Sequence, residues 1–178
     1  MVGLHRSIFL DRDGVIVKSK KIWGKPFAVN LYKEFKFDNY AKKGIVSFKK
    51  IGFKIIIVTN QPDYSSKKLA LSELNKMHHR IFNELKVDDI YTCLHARKMQ
   101  CKCRKPNTKM ILKSVIKYNI DLSKSYLIGD RKSDIDLANK LNLRSVFIDH
   151  NYIERKPSGQ IKTTNNFENA VKYITSIS

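Results

Sequence analysis

Short β-branched runs that each stop at polar residues alternate along this chain with stretches of helical period, and that alternation limits the fold more than any other feature. Residues 7–10, 55–59, 91–95, 125–128 and 145–148 read as strands, with residues 160–163 as a candidate edge strand. Between them Leu74, Met77, Ile81 and Leu85 recur at helical spacing, as do Ile111, Val115 and Tyr118, so each stripe can lie against a sheet. Residues 40–51, 134–141 and 167–177 are the other helical candidates. Strands joined by crossover helices predict an α/β fold of one domain over residues 1–178, a Rossmann-like parallel sheet flanked by helices. Ligands of such sheets collect beyond the carboxyl ends of the strands, which gives the residues just after each strand the most weight.

Composition removes several alternatives. A chain of 178 residues with 42% hydrophobic and 29% charged residues can bury a core, which excludes a disulfide miniprotein and a disordered tail. The apolar run Ile55-Ile56-Ile57-Val58 falls far short of a membrane span, and no charged-then-apolar signal segment is evident, so the expectation is a cytoplasmic protein without a membrane partner. Lys and Arg outnumber Asp and Glu by 35 to 16, a formal charge of +19. Of those cations 27 are Lys and 8 are Arg, and the lysines are scattered rather than gathered in a stripe. Dispersed lysine describes a solvated surface better than a nucleic-acid interface, so no nucleic-acid partner is expected.

Chemistry concentrates after the first strand, in Asp11-Arg12-Asp13-Gly14. Two carboxylates so close repel and are costly to desolvate unless a cation sits between them, a conflict that Mg²⁺ would resolve. One carboxylate could then attack phosphorus while the other moves a proton. Three later segments carry complementary groups. Thr59-Asn60-Gln61 offers a hydroxyl and amides for phosphoryl oxygens, and Arg104-Lys105-Pro106 supplies two cations before a helix. Gly129-Asp130-Arg131 adds a turn and a further carboxylate for the metal, with Asp134 one helical turn on to brace Lys105 or a metal-bound water.

The cysteines form a second constellation. Cys93 and His95, then Cys101 and Cys103, are two ligand pairs separated by five residues, and three thiols with one imidazole make a closed tetrahedral shell for structural Zn²⁺. Such a clip over residues 93–103 would pre-organise Arg104 and Lys105.

This ordered set resembles the four motifs of the haloacid dehalogenase superfamily of phosphatases: Asp11-Arg12-Asp13-Gly14, Thr59, Lys105, and Gly129-Asp130 with Asp134. The resemblance implies a phosphoric monoester hydrolase with a minimal cap. It implies Asp11 as nucleophile, Asp13 as general acid and base, Thr59 as a phosphoryl ligand, and Lys105 steadying Asp11 and the phosphoryl charge. Mg²⁺ would be held by Asp11, Asp130 and the backbone carbonyl of Asp13. With its Cys-x-His and Cys-x-Cys-Arg-Lys-Pro segments the chain is similar to the zinc-bearing branch of heptose 1,7-bisphosphate 7-phosphatases and histidinol-phosphate phosphatases. The segments 59–63, 129–131 and 147–152 lean towards the heptose enzymes, which implies a small phosphorylated sugar as substrate, nucleotide-activated heptose synthesis for surface glycans such as lipopolysaccharide, and a monomer. Substrate contacts then map to Asn60, Arg104, Lys105 and Arg131.

Histidinol phosphate is the nearest rival substrate, then a DNA 3′-phosphate; a non-catalytic zinc-clip module binding nucleic acid is the rival of a different class. The sequence departs from those relatives in a short zinc loop and in Tyr64-Ser65-Ser66-Lys67, where Lys67 or Lys68 would replace an expected arginine contact. Trp23 reads as a partly buried anchor of a long loop, and His5, His78, His79 and His150 carry no role.

Overall fold

The computed structural model describes residues 4–178. Its centre is a six-stranded, all-parallel sheet built from β1 (Arg6–Leu10), β4 (Phe53–Asn60), β5 (Asp89–Cys93), β6 (Tyr126–Gly129), β7 (Arg144–Ile148) and β8 (Lys162–Thr164), in the order β5-β4-β1-β6-β7-β8. The predicted Rossmann-like sheet is therefore present, edge strand included. Alternation along the strands fixes which helix covers which face. Ile8 and Leu10 of β1, with Ile55 and Ile57 of β4, pack with α1 (Ala41–Lys50), α2 (Leu71–Leu85) and α5 (Phe167–Ser176). Phe9, Ile56, Val58 and Leu127 point the other way, onto α3 (Lys109–Tyr118) and α4 (Lys132–Lys140).

The chain runs outward from β1 through β4 to β5 and then returns to the opposite side of β1 to lay down β6. The strand order thus reverses beside β1, where α/β sheets open a crevice. Leu10 is level with Ile57 on one neighbour and Ile128 on the other, which sets Asp11, Thr59 and Asp130 around one mouth.

Two local expectations change. Strand β5 ends at Cys93, two residues before the predicted end, because Leu94 and His95 leave the ladder and the imidazole turns back towards the cysteines. Between β1 and α1 lies an antiparallel hairpin, β2 (Lys20–Ile22) and β3 (Lys25–Phe27), which the sequence pattern does not announce. Trp23 and Gly24 occupy its two turn positions with φ of 51° and 71°, the signature of a hairpin turn that needs two left-handed residues. Trp23 is consequently 91% exposed at the tip, not a buried anchor. Gly24 is the residue that packs, since a side chain there would start 2.4 Å from Ile153 Cδ1.

Among the described residues no helix is long and apolar enough to cross a membrane. Phe48 is wholly buried on α1 and meets Phe53 edge-on at 6.1 Å. We expect Phe48→Ala to cost about 3–5 kcal/mol in urea unfolding; a loss below about 1 kcal/mol would contradict close packing at this face.

Candidate active site

The site begins with a lysine drawn inward. Lys105 follows the cysteine segment and is 3% exposed, with its ammonium 2.8 Å from Asp11 Oδ1 and 2.6 Å from Asp134 Oδ1 while donating to the Val58 carbonyl at 2.9 Å. Two carboxylates and a carbonyl surround the ammonium, so a charge that would be costly to bury alone is paired. Its backbone is held as firmly: the Lys105 amide donates to Asn60 Oδ1 at 3.0 Å, and Asn60 Nδ2 donates to the Lys105 carbonyl at 3.3 Å. Asn60 is thus engaged at both ends of its amide, leaving one hydrogen and one lone pair for a ligand.

Three carboxylates, Asp11, Asp130 and Asp134, are buried side by side, each with an oxygen within 4.8 Å of the others. Against them stands the single ammonium of Lys105, which leaves two excess negative charges if all three ionise. Burial is the largest influence on Asp11 and raises its pKa to about 6, with Asp134 and Asp13 adding to the rise and Lys105 opposing it. Asp130 is raised well above the ordinary value, first by burial and then by Asp11 and Asp134. Burial works against the charged form of Lys105, but Asp11 and Asp134 outweigh it and hold the amine above the usual lysine range.

Close backbone approach makes this cluster possible. Gly14 has φ +83°, and a Cβ there would lie 1.9 Å from Asp130 Oδ2. At Gly129 a Cβ would lie 2.2 Å from the Asp134 Cβ. Asp134 has two tasks: Oδ2 accepts the Arg131 amide at 3.0 Å at the start of α4, while Oδ1 faces Lys105.

Asp13 is held separately. The wholly buried Arg12 forks onto it, Nε to Oδ2 at 3.0 Å and an amino group to Oδ1 at 3.1 Å. Gln61 Nε2 donates to Asp13 Oδ2 at 2.7 Å and to Thr59 Oγ1 at 2.9 Å, linking the second carboxylate to the end of β4. The guanidinium of Arg104 donates to the His95 carbonyl at 3.4 Å, and Arg131 pairs with Glu154. Lys67 and Lys68 are exposed.

Some site residues take parts that the sequence does not announce. Gln61, read as an amide for phosphoryl oxygens, is instead buried and joins Arg12 in clamping Asp13, and His150 Nε2, given no role above, lies 2.7 Å from the Gly14 carbonyl. The Tyr152 hydroxyl is shared between Ser19 Oγ, at 2.9 Å, and the Asp130 carboxylate. The last two lie beyond β7, and only the fold brings them to the mouth.

The donor sets fit two different cations. Clustered hard carboxylate oxygens, one of them the buried and unpartnered Asp130 Oδ1, suit a divalent ion of the Mg²⁺ class. Cys93, His95, Cys101 and Cys103 converge with ligand atoms 3.2–3.7 Å apart along the close pairs. Sulfurs bound at about 2.3 Å around a tetrahedral Zn²⁺ stand ~3.7 Å apart, so this set suits zinc. Burial, ahead of contacts with the other two thiols, pushes the Cys93 thiol up to about 12. The Arg104 amide donates to Cys101 Sγ at 3.4 Å, tying the cluster to the Lys105 loop.

A family model described as HAD-hydrolase-like matches residues 102–164. The histidine biosynthesis bifunctional protein HisB of Campylobacter jejuni is 32% identical over 148 residues, 80% of this chain and 41% of that protein. Its counterpart in Buchnera aphidicola is 31% identical over 147 residues, with the same coverage. The chain therefore spans about two fifths of the length of these curated relatives. Among solved structures, a D,D-heptose 1,7-bisphosphate phosphatase from B. bronchiseptica, complexed with magnesium and phosphate, aligns with a TM-score of 0.82 at 20% identity, over 97% of this chain and 99% of that one. One from Burkholderia thailandensis aligns with a TM-score of 0.67 at 16% identity, over 96% and 99% of the two chains.

Two groups give opposite pH dependence. Asp11, raised from 3.8 to about 6, binds its proton more tightly in the fold, so its contribution to stability is lost as pH rises through that interval. His78 is lowered from 6.5 to about 4 by burial and then by Arg12, so its contribution is lost as pH falls through that interval. In chelator-treated protein we expect that, from pH 4 to 6, the melting temperature of His78→Asn falls relative to the unsubstituted chain and that of Asp11→Asn rises relative to it. Parallel curves in a thermal-melt series would refute this assignment.

Proposed function

We propose that the chain is a haloacid dehalogenase-like hydrolase, a Mg²⁺-dependent phosphomonoesterase working through an aspartyl-phosphate on Asp11. The observation that carries this reading is the buried ammonium of Lys105 bridging Asp11 and Asp134 beside the unpartnered oxygen of Asp130. Asp11 and Asp130, with the backbone carbonyl of Asp13, would hold the cation. When bound, Mg²⁺ supplies positive charge that draws the phosphoryl oxygens and the carboxylates together.

The remaining work falls to side chains. An oxygen of Asp11 attacks phosphorus while the ester P–O bond breaks, and the leaving alkoxide takes a proton from Asp13. Asp13 then removes a proton from water as it attacks the aspartyl-phosphate, releasing inorganic phosphate and restoring Asp11. Lys105 keeps Asp11 ionised and aimed, and Thr59 binds a phosphoryl oxygen. Arg12 and Gln61 fix the carboxylate of Asp13 between these steps. Structural zinc on Cys93, His95, Cys101 and Cys103 would stiffen the loop that delivers Arg104 and Lys105.

For substrate we propose the 7-phosphate of D-glycero-D-manno-heptose 1,7-bisphosphate, in heptose synthesis for surface glycans, with Asn60, Arg104, Lys105 and Arg131 as contacts. The whole-chain fold likeness to heptose bisphosphate phosphatases supports it. Histidinol phosphate is the second reading, favoured by the sequence identity to the histidine biosynthesis proteins. Phosphate release from the two compounds separates them: a hundredfold higher kcat/KM for histidinol phosphate would set the heptose reading aside.

Asp11→Asn should abolish turnover while leaving the fold intact, because it removes the nucleophile without changing shape; residual activity above about one per cent in a phosphate-release assay would point to another attacking group. Cys101→Ser should lower both bound zinc, measured by elemental analysis, and the melting temperature; unchanged stoichiometry would contradict the assigned shell.

A further inference from the structure

Arg131, named above as a substrate contact, is half of a charge pair whose other member, Glu154, has been given no part. The guanidinium of Arg131 is gripped by Glu154, with Nε 2.8 Å from Oε1 and 3.0 Å from Oε2, and an amino nitrogen 2.7 Å from Oε2. Both partners are partly screened, their side chains 30% and 25% exposed. Neither drifts freely. The Arg131 amide is tied to Asp134, and the loop carrying Glu154 is fastened by the Ile153 amide on the Gly24 carbonyl at 2.9 Å and by the Tyr152 hydroxyl on Ser19.

Charge around the mouth is therefore uneven. Arg104, whose guanidinium donates to the His95 carbonyl, has no carboxylate partner among the described residues. Arg131 instead arrives with its own carboxylate, so a ligand group brought to it meets a pair of zero net charge. A second phosphate placed there gains the guanidinium but is repelled by Glu154, whereas a hydroxyl or an ammonium finds an acceptor already oriented. A carboxylate has about four lone-pair sites, more than Arg131 occupies, so Glu154 can take such a donor without releasing the arginine.

We infer that Glu154 is a specificity-determining residue: it cancels the charge of Arg131 towards the end of the substrate remote from the scissile phosphate, so that the site disfavours a second phosphate there and accepts a hydroxyl or ammonium group. This deepens the phosphomonoesterase reading and rests on it. Within that reading it requires that the Arg131 contact proposed above be made to a hydroxyl of the heptose and not to its far phosphate.

The test reads binding rather than turnover. In an Asp11→Asn background with Mg²⁺ present, dissociation constants for fructose 6-phosphate and fructose 1,6-bisphosphate are measured by calorimetry with Glu154 and with Glu154→Gln, which keeps the shape and removes the charge. We expect Glu154→Gln to tighten the bisphosphate about tenfold and to leave the monophosphate within about twofold. A ratio of the two constants that moves by less than about threefold overturns the inference, as does equal tightening of both or failure of either protein to bind either sugar. Hydrolysis of p-nitrophenyl phosphate by the unsubstituted chain reports on the phosphomonoesterase reading independently, so the two can fail separately.

Discussion

The ammonium of Lys105 is the interaction on which the rest of the molecule depends. It joins the end of β1 through Asp11, the start of α4 through Asp134 and the body of β4 through the Val58 carbonyl. Segments distant in sequence thus meet at one nitrogen. A buried ion pair does not by itself argue for stability, because desolvation consumes much of the attraction. Its value here is geometric: the ammonium draws the three segments to one point, and the carboxylate oxygens of Asp11, Asp130 and Asp134 come within 4.8 Å of one another there.

Holding that nitrogen in place requires support from outside the sheet. Asn60 closes on both backbone groups of Lys105, and the neighbouring Arg104 amide reaches the sulfur of Cys101. The cysteine and histidine cluster thereby bears on Lys105 through the adjacent Arg104 amide rather than through the bulk of the fold. This explains why a ligand set of that kind directly precedes a pair of cations in the sequence. A long loop without such a clasp would lose much conformational entropy in placing a charged side chain inside the core.

Much of this was legible in the residues themselves. The short apolar runs Phe9-Leu10 and Ile55-Ile56-Ile57-Val58 mark strands, and the polar residues that follow such runs include Asp11, Thr59 and Asp130. The hairpin around Trp23 was not legible, because its short strands are mostly exposed and bury no stripe that periodicity could register. Asn60 reads as a ligand for substrate by its position, but its hold on both backbone groups of Lys105 could not be read from the sequence. His150, Tyr152 and Glu154 escaped because nothing near them in sequence names their partners Gly14, Asp130 and Arg131. Contacts made by a loop returning from the far side of the sheet are a property of topology, which local patterns do not encode.

The absence of a side chain at Gly14 has a consequence for how this molecule can vary. Asp130 occupies the volume where a β-carbon at that position would stand. The first turn and the loop after β6 are therefore interlocked, and neither can be remodelled without displacing the other. Variation is easier in parts that touch neither, such as the exposed Trp23 at the hairpin tip, so the periphery can change while the carboxylate cluster stays fixed.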